Sequence, residues 1–239
     1  MSDREGFVVV YPNANPTGGI GMWDFFGPAV PDAGKRADGR MATGRDDVGF
    51  IAALIDDLVK KKLADRTRVY VTGISNGSYM ANRLSVDLGD RIAATAGVAG
   101  TGGKIALFVK PPREMPVLYI HGDQDKVIGI DGTDFVSKAN LSLTADELCR
   151  WWARRNGCQA PKTESLPDRD KSDGCTVERT TWKPKGKNSA PVVFYKIKGG
   201  GHTWPGDFEF QPREILGNTC RDIDASKLMW EFFSEHRRN

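Results

Sequence analysis

Residues 73–77 read Gly73-Ile74-Ser75-Asn76-Gly77, a G-x-S-x-G pattern that decides the fold of this 239-residue chain. An apolar, β-branched run at residues 69–72 precedes the pattern, and a stretch of helical composition at residues 78–84 follows it. A strand, a tight turn and a helix in this order raise a serine hydroxyl above the edge of a sheet, beside a helix N-terminus that stabilises negative charge. The pattern predicts a nucleophilic Ser75, and the alternative is a glycine-rich turn without chemistry.

Segments typical of strands and helices alternate along the chain. Apolar runs predict further strands at residues 6–11, 92–98, 117–120 and 192–197. Helical spacing predicts helices at residues 46–59, 144–155 and 225–235, the second of them opened by a capping box of Thr144 and Glu147. Helices between strands are typical of an α/β fold with a mostly parallel sheet. We therefore expect one domain over residues 1–239, with residues 159–189 as an irregular surface excursion.

Composition excludes several classes of function. The net charge is +3 and the basic residues are scattered, which argues against nucleic-acid binding. No apolar run approaches the roughly 18 residues needed to cross a membrane, and residues 1–5 lack the pattern of a signal peptide. Nothing in the sequence indicates a metal or an organic cofactor, and it leaves the oligomeric state open.

The four cysteines lack the spacing of a metal site. Cys158 and Cys175 flank a polar loop, so a disulfide between them is one interpretation, with Cys149 then pairing with Cys220. Three connectivities are possible, and buried free thiols are the alternative to all of them. Disulfides would indicate an oxidising compartment.

A serine nucleophile needs a base, and the chain has three histidines. His202 follows three glycines directly after the last predicted strand, whereas His121 suits a structural role and His236 a helix end. The acid should leave another strand end, where Asp123 and Asp125 are both available; Asp123 suits a turn, so we favour Asp125. The order Ser75, Asp125, His202 is that of the α/β-hydrolases, and the backbone N–H of Asn76 is the expected oxyanion donor.

These motifs also carry a family resemblance. Residues 73–80, 121–125 and the glycine-rich segment 199–206, which ends in Trp204-Pro205-Gly206, resemble the polyhydroxybutyrate depolymerase and feruloyl or acetylxylan esterase group. The resemblance implies an α/β-hydrolase fold, a Ser–Asp–His triad with Asp125 as the acid, and hydrolysis of carboxylic esters by proteins that are often extracellular or periplasmic. It extends over nearly the whole chain.

The chain departs from that family at one point. Members of the family have, before the segment resembling residues 6–12, a further strand whose His-Gly loop supplies a second oxyanion donor. This sequence contains neither, so we expect an α/β-hydrolase domain that lacks the N-terminal strand or strands of the full fold.

Three functions remain open on the sequence. The leading hypothesis is a serine esterase acting on a small or polymer-borne ester. In this hypothesis Trp23 and Trp204, together with Phe25 and Phe26, line the substrate site, although aromatic residues more commonly form a core. The alternatives are a catalytically impaired relative of the fold and, with less support, a serine peptidase.

Overall fold

The computed structural model describes residues 1–17, 20–25, 45–104, 110–133, 142–187, 189–206, 209 and 212–238. The helices in this part of the chain are α1 (Ser2–Glu5), α2 (Asp47–Lys60), α3 (Asn76–Asp87), α4 (Ala145–Arg155), α5 (Arg213–Leu216) and α6 (Ala225–Ser234). The strands are β1 (Pro16–Thr17), β2 (Ile20–Gly21), β3 (Tyr70–Ile74), β4 (Ala94–Val98), β5 (Val117–Gly122), β6 (Lys162–Ser165), β7 (Thr176–Trp182) and β8 (Val192–Lys198).

A six-stranded sheet in the order β3-β4-β5-β8-β7-β6 forms the centre of the fold. The first four strands in this order are parallel, whereas β7 and β6 each run antiparallel to their neighbour. Strands β4 and β5 are buried along their whole length, as expected for parallel strands covered on both faces. The predicted α/β architecture with a mostly parallel sheet is confirmed.

Helices cover both faces of this sheet. Alternate residues of β5 face opposite sides, so Val117 and Tyr119 pack with α2, α3 and α4, while Leu118 and Ile120 pack with α6. The predicted capping box at the start of α4 is confirmed, because Thr144 and Glu147 each hydrogen-bond the other's backbone N–H. On the α4 side, buried Asn82 accepts hydrogen bonds from the Tyr119 hydroxyl and the Trp152 indole, at 2.7 and 3.0 Å.

Two predictions about the chain's course are wrong. Residues 6–11 do not form a strand; Val8 and Tyr11 are 65% and 85% exposed. A strand is stable only when its backbone pairs with a neighbour, and no described strand lies on the free edge of β3. Residues 159–189 are not an irregular excursion, because β7 pairs antiparallel with β8 and β6 pairs antiparallel with β7, so both strands extend the sheet.

His236 lies just past the end of α6, as the sequence indicated, but it is partly buried. Its ring packs edge-on against Phe232, with centroids 4.6 Å apart, and its Nε2 is buried without a hydrogen-bond partner among the described residues. Burial, with a smaller contribution from the charge of Arg113, lowers the pKa of His236 to about 4. Among the described helices, none is long and apolar enough to cross a membrane.

Candidate active site

Ser75 occupies a strained turn between β3 and α3. Its backbone angles are φ 57° and ψ −121°, in the region that residues with a side chain rarely adopt. The turn is held by hydrogen bonds on both sides, from the Ser75 N–H to the carbonyl of Val98 and from the Ser78 N–H to the Ser75 carbonyl, each 2.9 Å. Neighbouring structure therefore maintains the strain, and the serine side chain remains partly exposed.

The two glycines around Ser75 have different roles. A Cβ on Gly73 would lie 2.5 Å from the carbonyl carbon of Gly77, which is backbone and cannot move aside. A Cβ on Gly77 would meet nothing within 4 Å. Of these two glycines, the close approach of strand and helix thus requires only Gly73.

Asn76 connects the serine turn to the segment that carries Trp23. Its side-chain Oδ1 accepts a hydrogen bond from the Trp23 N–H at 2.8 Å, and its Nδ2 donates to the Trp23 carbonyl at 3.1 Å. The backbone N–H of Asn76 is the first of α3 and has no partner within the helix. Asn76 thus presents its backbone N–H at the helix N-terminus and fixes Trp23 beside it with its side chain, a link between residues 53 positions apart that no sequence pattern indicates.

Asp125 and His202 form a buried hydrogen-bonded pair. His202 Nδ1 donates to Asp125 Oδ2 at 2.8 Å, and the exposed fractions of the two residues are 6% and 7%. Asp125 Oδ1 accepts the backbone N–H groups of Val127 and Ile128, both at 2.9 Å. Because Nδ1 of His202 donates, Nε2 of the neutral ring is left to accept a proton.

His121 contacts the carboxylate of Asp125 and so supports this pair. Its Nε2 lies 2.8 Å from the carbonyl of Ile128 and 3.4 Å from Asp125 Oδ2; a carbonyl only accepts, so this nitrogen carries the proton. Burial opposes ionisation of Asp125, but the hydrogen bonds from His121 and His202 outweigh it and lower the pKa of Asp125 to about 2. The carboxyl group is therefore ionised at neutral pH.

The two aspartates that the sequence offered as acids are separated by the structure. Asp123 Oδ1 accepts the N–H of Gly199 at 2.8 Å and so closes the turn beside β8. Asp125, not Asp123, contacts the histidine.

The loop that carries His202 packs by close backbone contact. A Cβ on Gly122 would overlap the carbonyl of Gly200, and a Cβ on Gly201 would overlap the carbonyl of Leu216. The N–H of His202 donates to that same Leu216 carbonyl at 2.6 Å. The glycines thus let the ends of β5 and β8 meet, which brings the acid and the histidine together.

The structure does not join all three predicted residues by hydrogen bonds. Among the described residues, Asp125 is bonded to His202, but no hydrogen bond connects His202 with Ser75. Such bonds are often long in the absence of substrate and shorten when it binds. The described structure thus pairs Asp125 with His202 and places Ser75 in a separate strained turn.

The aromatic residues proposed to line the substrate site differ in what they contact. Trp23 stacks against Phe50 with ring centroids 6.3 Å apart, and Phe25 stacks against Tyr79 at 4.7 Å. Trp204 packs near α6, where its indole donates to Ser226 Oγ at 3.1 Å. Phe26 lies outside the described residues. Of these candidates, Trp23 is the one that the structure links to the serine turn.

A cavity of about 440 Å³ lies elsewhere, between the loop that follows β6 and α6. The residues that line it include Arg179, Arg221 and Asp222, but not Ser75, Asp125 or His202. We assign it no role in the chemistry, because it holds neither the base nor the serine.

The cysteines are arranged differently from the suggested pairing. All four are free thiols; Cys149 and Cys158 pack on the α4 face of the sheet, whereas Cys175 and Cys220 pack on the α6 face. Disulfides joining Cys158 to Cys175 and Cys149 to Cys220 would have to cross the sheet, so that pairing is wrong. Within the described chain, the Asp173 carboxylate and the sulfurs of Cys175 and Cys220 form a group that could approach a metal ion.

Several known proteins are similar to this chain in sequence. A protein named "Putative esterase NocK" from Nocardia uniformis subsp. tsuyamanensis is 30% identical over 196 residues, 78% of this chain and 56% of that protein. Feruloyl esterase B of Piromyces equi is 30% identical over 174 residues, 69% of this chain and 30% of the relative. The bifunctional acetylxylan esterase/xylanase XynS20E of Neocallimastix patriciarum is 30% identical over 205 residues, 85% and 25% of the two chains. The chain thus spans between a quarter and just over half of the length of these relatives.

A solved structure supports the fold. The acetyl xylan esterase from Aspergillus awamori matches with a TM-score of 0.57 and 22% identity over 98% of this chain and 79% of that one. No family model matches the sequence. The parallel sheet, the strained serine turn and the sequence relatives lead to one assignment: the chain belongs to the esterase group of the α/β-hydrolases.

Proposed function

We propose that this chain is a serine carboxylic-ester hydrolase in which Ser75, His202 and Asp125 form the catalytic triad. His202 Nε2 takes the proton of Ser75 Oγ as the serine attacks the ester carbonyl carbon. The tetrahedral intermediate expels the alcohol, which receives that proton, and leaves an acyl group on Ser75. A water molecule, deprotonated by His202 in turn, then releases the carboxylic acid and restores the serine.

The observation that carries this proposal is the 2.8 Å hydrogen bond from His202 Nδ1 to the buried carboxylate of Asp125. The backbone N–H groups of Val127 and Ile128 hold the other carboxylate oxygen, so the acid cannot turn away from the histidine. An ionised Asp125 stabilises the imidazolium that forms when His202 accepts the serine proton.

Asn76 contributes the oxyanion donor in this mechanism. Its backbone N–H lies at the N-terminus of α3, where the helix dipole favours the negative charge of the intermediate. Loss of one oxyanion donor lowers kcat by about 10²–10³, so the Asn76 N–H contributes much of the stabilisation in this proposal. A catalytically impaired relative is the second candidate, because no hydrogen bond joins His202 to Ser75 among the described residues.

The substrate class follows from the relatives and from the aromatic side chains. The named relatives include a feruloyl esterase and an acetylxylan esterase, so we propose small acyl or aromatic esters, free or borne on a polymer, with a polyhydroxybutyrate-type polyester as a further candidate. Trp23, held beside Ser75 by Asn76, would contact the acyl group, and Trp204 a more distant part of the substrate. An extracellular or periplasmic location, and a single catalytic domain over residues 1–239, are parts of the same proposal.

Hydrolysis of 4-nitrophenyl acetate and methyl ferulate tests this function. The wild-type chain is compared with Ser75→Ala and with Ser234→Ala, a control that removes an exposed hydroxyl from the end of α6. We expect Ser75→Ala to fall to the uncatalysed rate while the control keeps wild-type activity. A fluorophosphonate probe should label the wild type and the control but not Ser75→Ala. Folded wild-type protein that neither hydrolyses these esters nor reacts with the probe would favour the impaired relative.

A further inference from the structure

Two buried cysteines meet on the α6 face of the sheet. Cys175 lies directly before β7 and Cys220 lies in the segment between α5 and α6, and they are 4% and 0% exposed. Their sulfurs and a carboxylate oxygen of Asp173 all lie within 4.8 Å of one another. A pair of thiols this close is within reach of a bond after rotation of the side chains.

Asp173 fixes the two segments that carry these cysteines. Its Oδ1 accepts the N–H of Cys175 at 2.7 Å, and its Oδ2 accepts the N–H of Arg221 at 2.6 Å. One carboxylate therefore bonds the backbone at Cys175 and at the residue after Cys220. The proximity of the thiols is built into the backbone and does not depend on flexible loops.

The same hydrogen bonds argue against a metal ion at this place. Both oxygens of Asp173 are already used as acceptors, and a structural zinc site needs four ligands. The described residues offer three in this group. A metal would have to displace the backbone bonds that hold the two segments together.

The two thiols are not equivalent. Interaction with the Cys175 thiol lowers the pKa of Cys220. Interaction with the Cys220 thiol, together with burial, raises the pKa of Cys175, whose thiol donates to the carbonyl of Asp173 at 3.7 Å. We therefore assign Cys220 as the attacking thiolate.

We propose that Cys175 and Cys220 form a disulfide bond when the chain folds under oxidising conditions. With oxidised glutathione as the oxidant, the Cys220 thiolate attacks one sulfur of that disulfide and releases a glutathione thiolate. The Cys175 thiolate then attacks the Cys220 sulfur of the mixed disulfide and releases the second glutathione. The protein loses two thiol protons and two electrons, and the small disulfide takes them up as two thiols.

The bond would stabilise the loop that presents His202. The carbonyl of Cys220 accepts the N–H of Gly206 at 2.9 Å, and the carbonyl of Asn218 accepts the N–H of Gly201 at the same distance. The segment that contains Cys220 is therefore hydrogen-bonded to both sides of His202. A covalent link to the start of β7 would hold this segment against thermal opening.

Thiol counting on the full chain tests the proposal. The protein is refolded in a glutathione redox buffer that contains a chelator, then denatured without reductant and titrated with a chromogenic disulfide. We expect two free thiols per chain, and a cross-linked peptide pair containing Cys175 and Cys220 by mass spectrometry. The melting temperature should fall by about 5–15 °C on reduction, the range for one disulfide in a chain of this size.

Matched variants make the count specific. Cys158→Ser, which removes a partly buried thiol from the other face of the sheet, should leave one free thiol. Cys175→Ser should leave three. Four free thiols in the wild type, or a cross-link to Cys149 or Cys158, would overturn the proposal, as would thiols protected only when zinc is supplied. None of these readouts depends on ester hydrolysis.

Discussion

Replacing Asp125 with asparagine separates the proposed catalytic role of this residue from its structural one. Asp125 accepts three hydrogen bonds shorter than 3 Å, two from backbone N–H groups to Oδ1 and one from His202 to Oδ2, and His121 Nε2 approaches Oδ2 at 3.4 Å. An asparagine has one oxygen and one NH₂ group, so it satisfies only one side. If the asparagine oxygen keeps the hydrogen bonds from the backbone N–H groups of Val127 and Ile128, its NH₂ group faces His202 Nδ1. This nitrogen must then accept a hydrogen bond instead of donating one. The proton moves to Nε2, and this nitrogen can no longer take a proton from Ser75.

The opposite orientation of the asparagine amide would destabilise the fold more. The NH₂ group would face the N–H groups of Val127 and Ile128 and leave two buried donors unpaired, at about 1–3 kcal/mol each. The first orientation should therefore dominate. A triad with the wrong histidine tautomer loses about 10⁴ in kcat, which is about 5.5 kcal/mol of transition-state stabilisation.

The assay is kcat/KM for 4-nitrophenyl acetate at neutral pH, with circular dichroism to verify folding. Asp123→Asn is the control, because its oxygen still accepts the N–H of Gly199, and we expect a change of less than about threefold. The reasoning is refuted if folded Asp125→Asn retains more than a tenth of wild-type activity. It is also refuted if Asp123→Asn loses as much activity as Asp125→Asn does.

Three further predictions concern stability. Gly73→Ala should lower the free energy of unfolding in urea by about 1–3 kcal/mol, because its Cβ would overlap the Gly77 backbone. Gly77→Ala should be neutral or stabilising by up to about 1 kcal/mol. Equal effects of the two substitutions would contradict the assigned roles. Asn82→Ala should destabilise by about 2–5 kcal/mol in the same measurement, because two buried donors lose their acceptor, and an unchanged urea midpoint would contradict this. For His236 the folded-state pKa of about 4 lies below the unfolded value near 6.5, so its contribution to stability is complete above pH 6.5 and is lost as pH falls towards 4. The partial exposure of His236 limits this contribution to about 1–2 kcal/mol of unfolding free energy. His236→Gln should remove the corresponding part of the pH dependence of the melting temperature. An unchanged profile would contradict a buried neutral ring.

Local sequence patterns were sufficient for the parallel part of the sheet. The runs that became β3, β4, β5 and β8 are short, apolar and followed by glycine-containing turns, which is the pattern of strands covered on both faces. The candidate site residues come directly after three of these strands. Parallel strands direct their carboxyl ends to one edge, so their order along the chain predicts that these residues lie together. The contact of Asp125 with His202 agrees with this, whereas the contact of His202 with Ser75 stays a prediction.

Features that depend on distant partners could not be predicted. The run at residues 6–11 has the composition of a buried strand, but composition does not reveal whether a neighbour is present to pair with it. Strands β6 and β7 are polar on their outer positions, so they look like loop until pairing with β8 is known. The contact of Cys175 with Cys220 likewise depends on Asp173, whose two hydrogen bonds join segments far apart in sequence.

The strand order explains why one contact of the proposed triad is formed and another is not. Strands β5 and β8 are neighbours, about 4.8 Å apart, so the loops that follow them meet directly and Asp125 reaches His202. Strand β3 is three positions from β8, about 14 Å away, and the histidine loop must extend back over the ends of β5 and β4 to reach Ser75. The backbone contact of Gly201 with Leu216, and the hydrogen bonds from the segment around Cys220, determine how far that loop extends. We therefore expect the closing of the gap between His202 and Ser75 to limit the rate, because the acid and the base are already bonded whereas the base and the nucleophile are not.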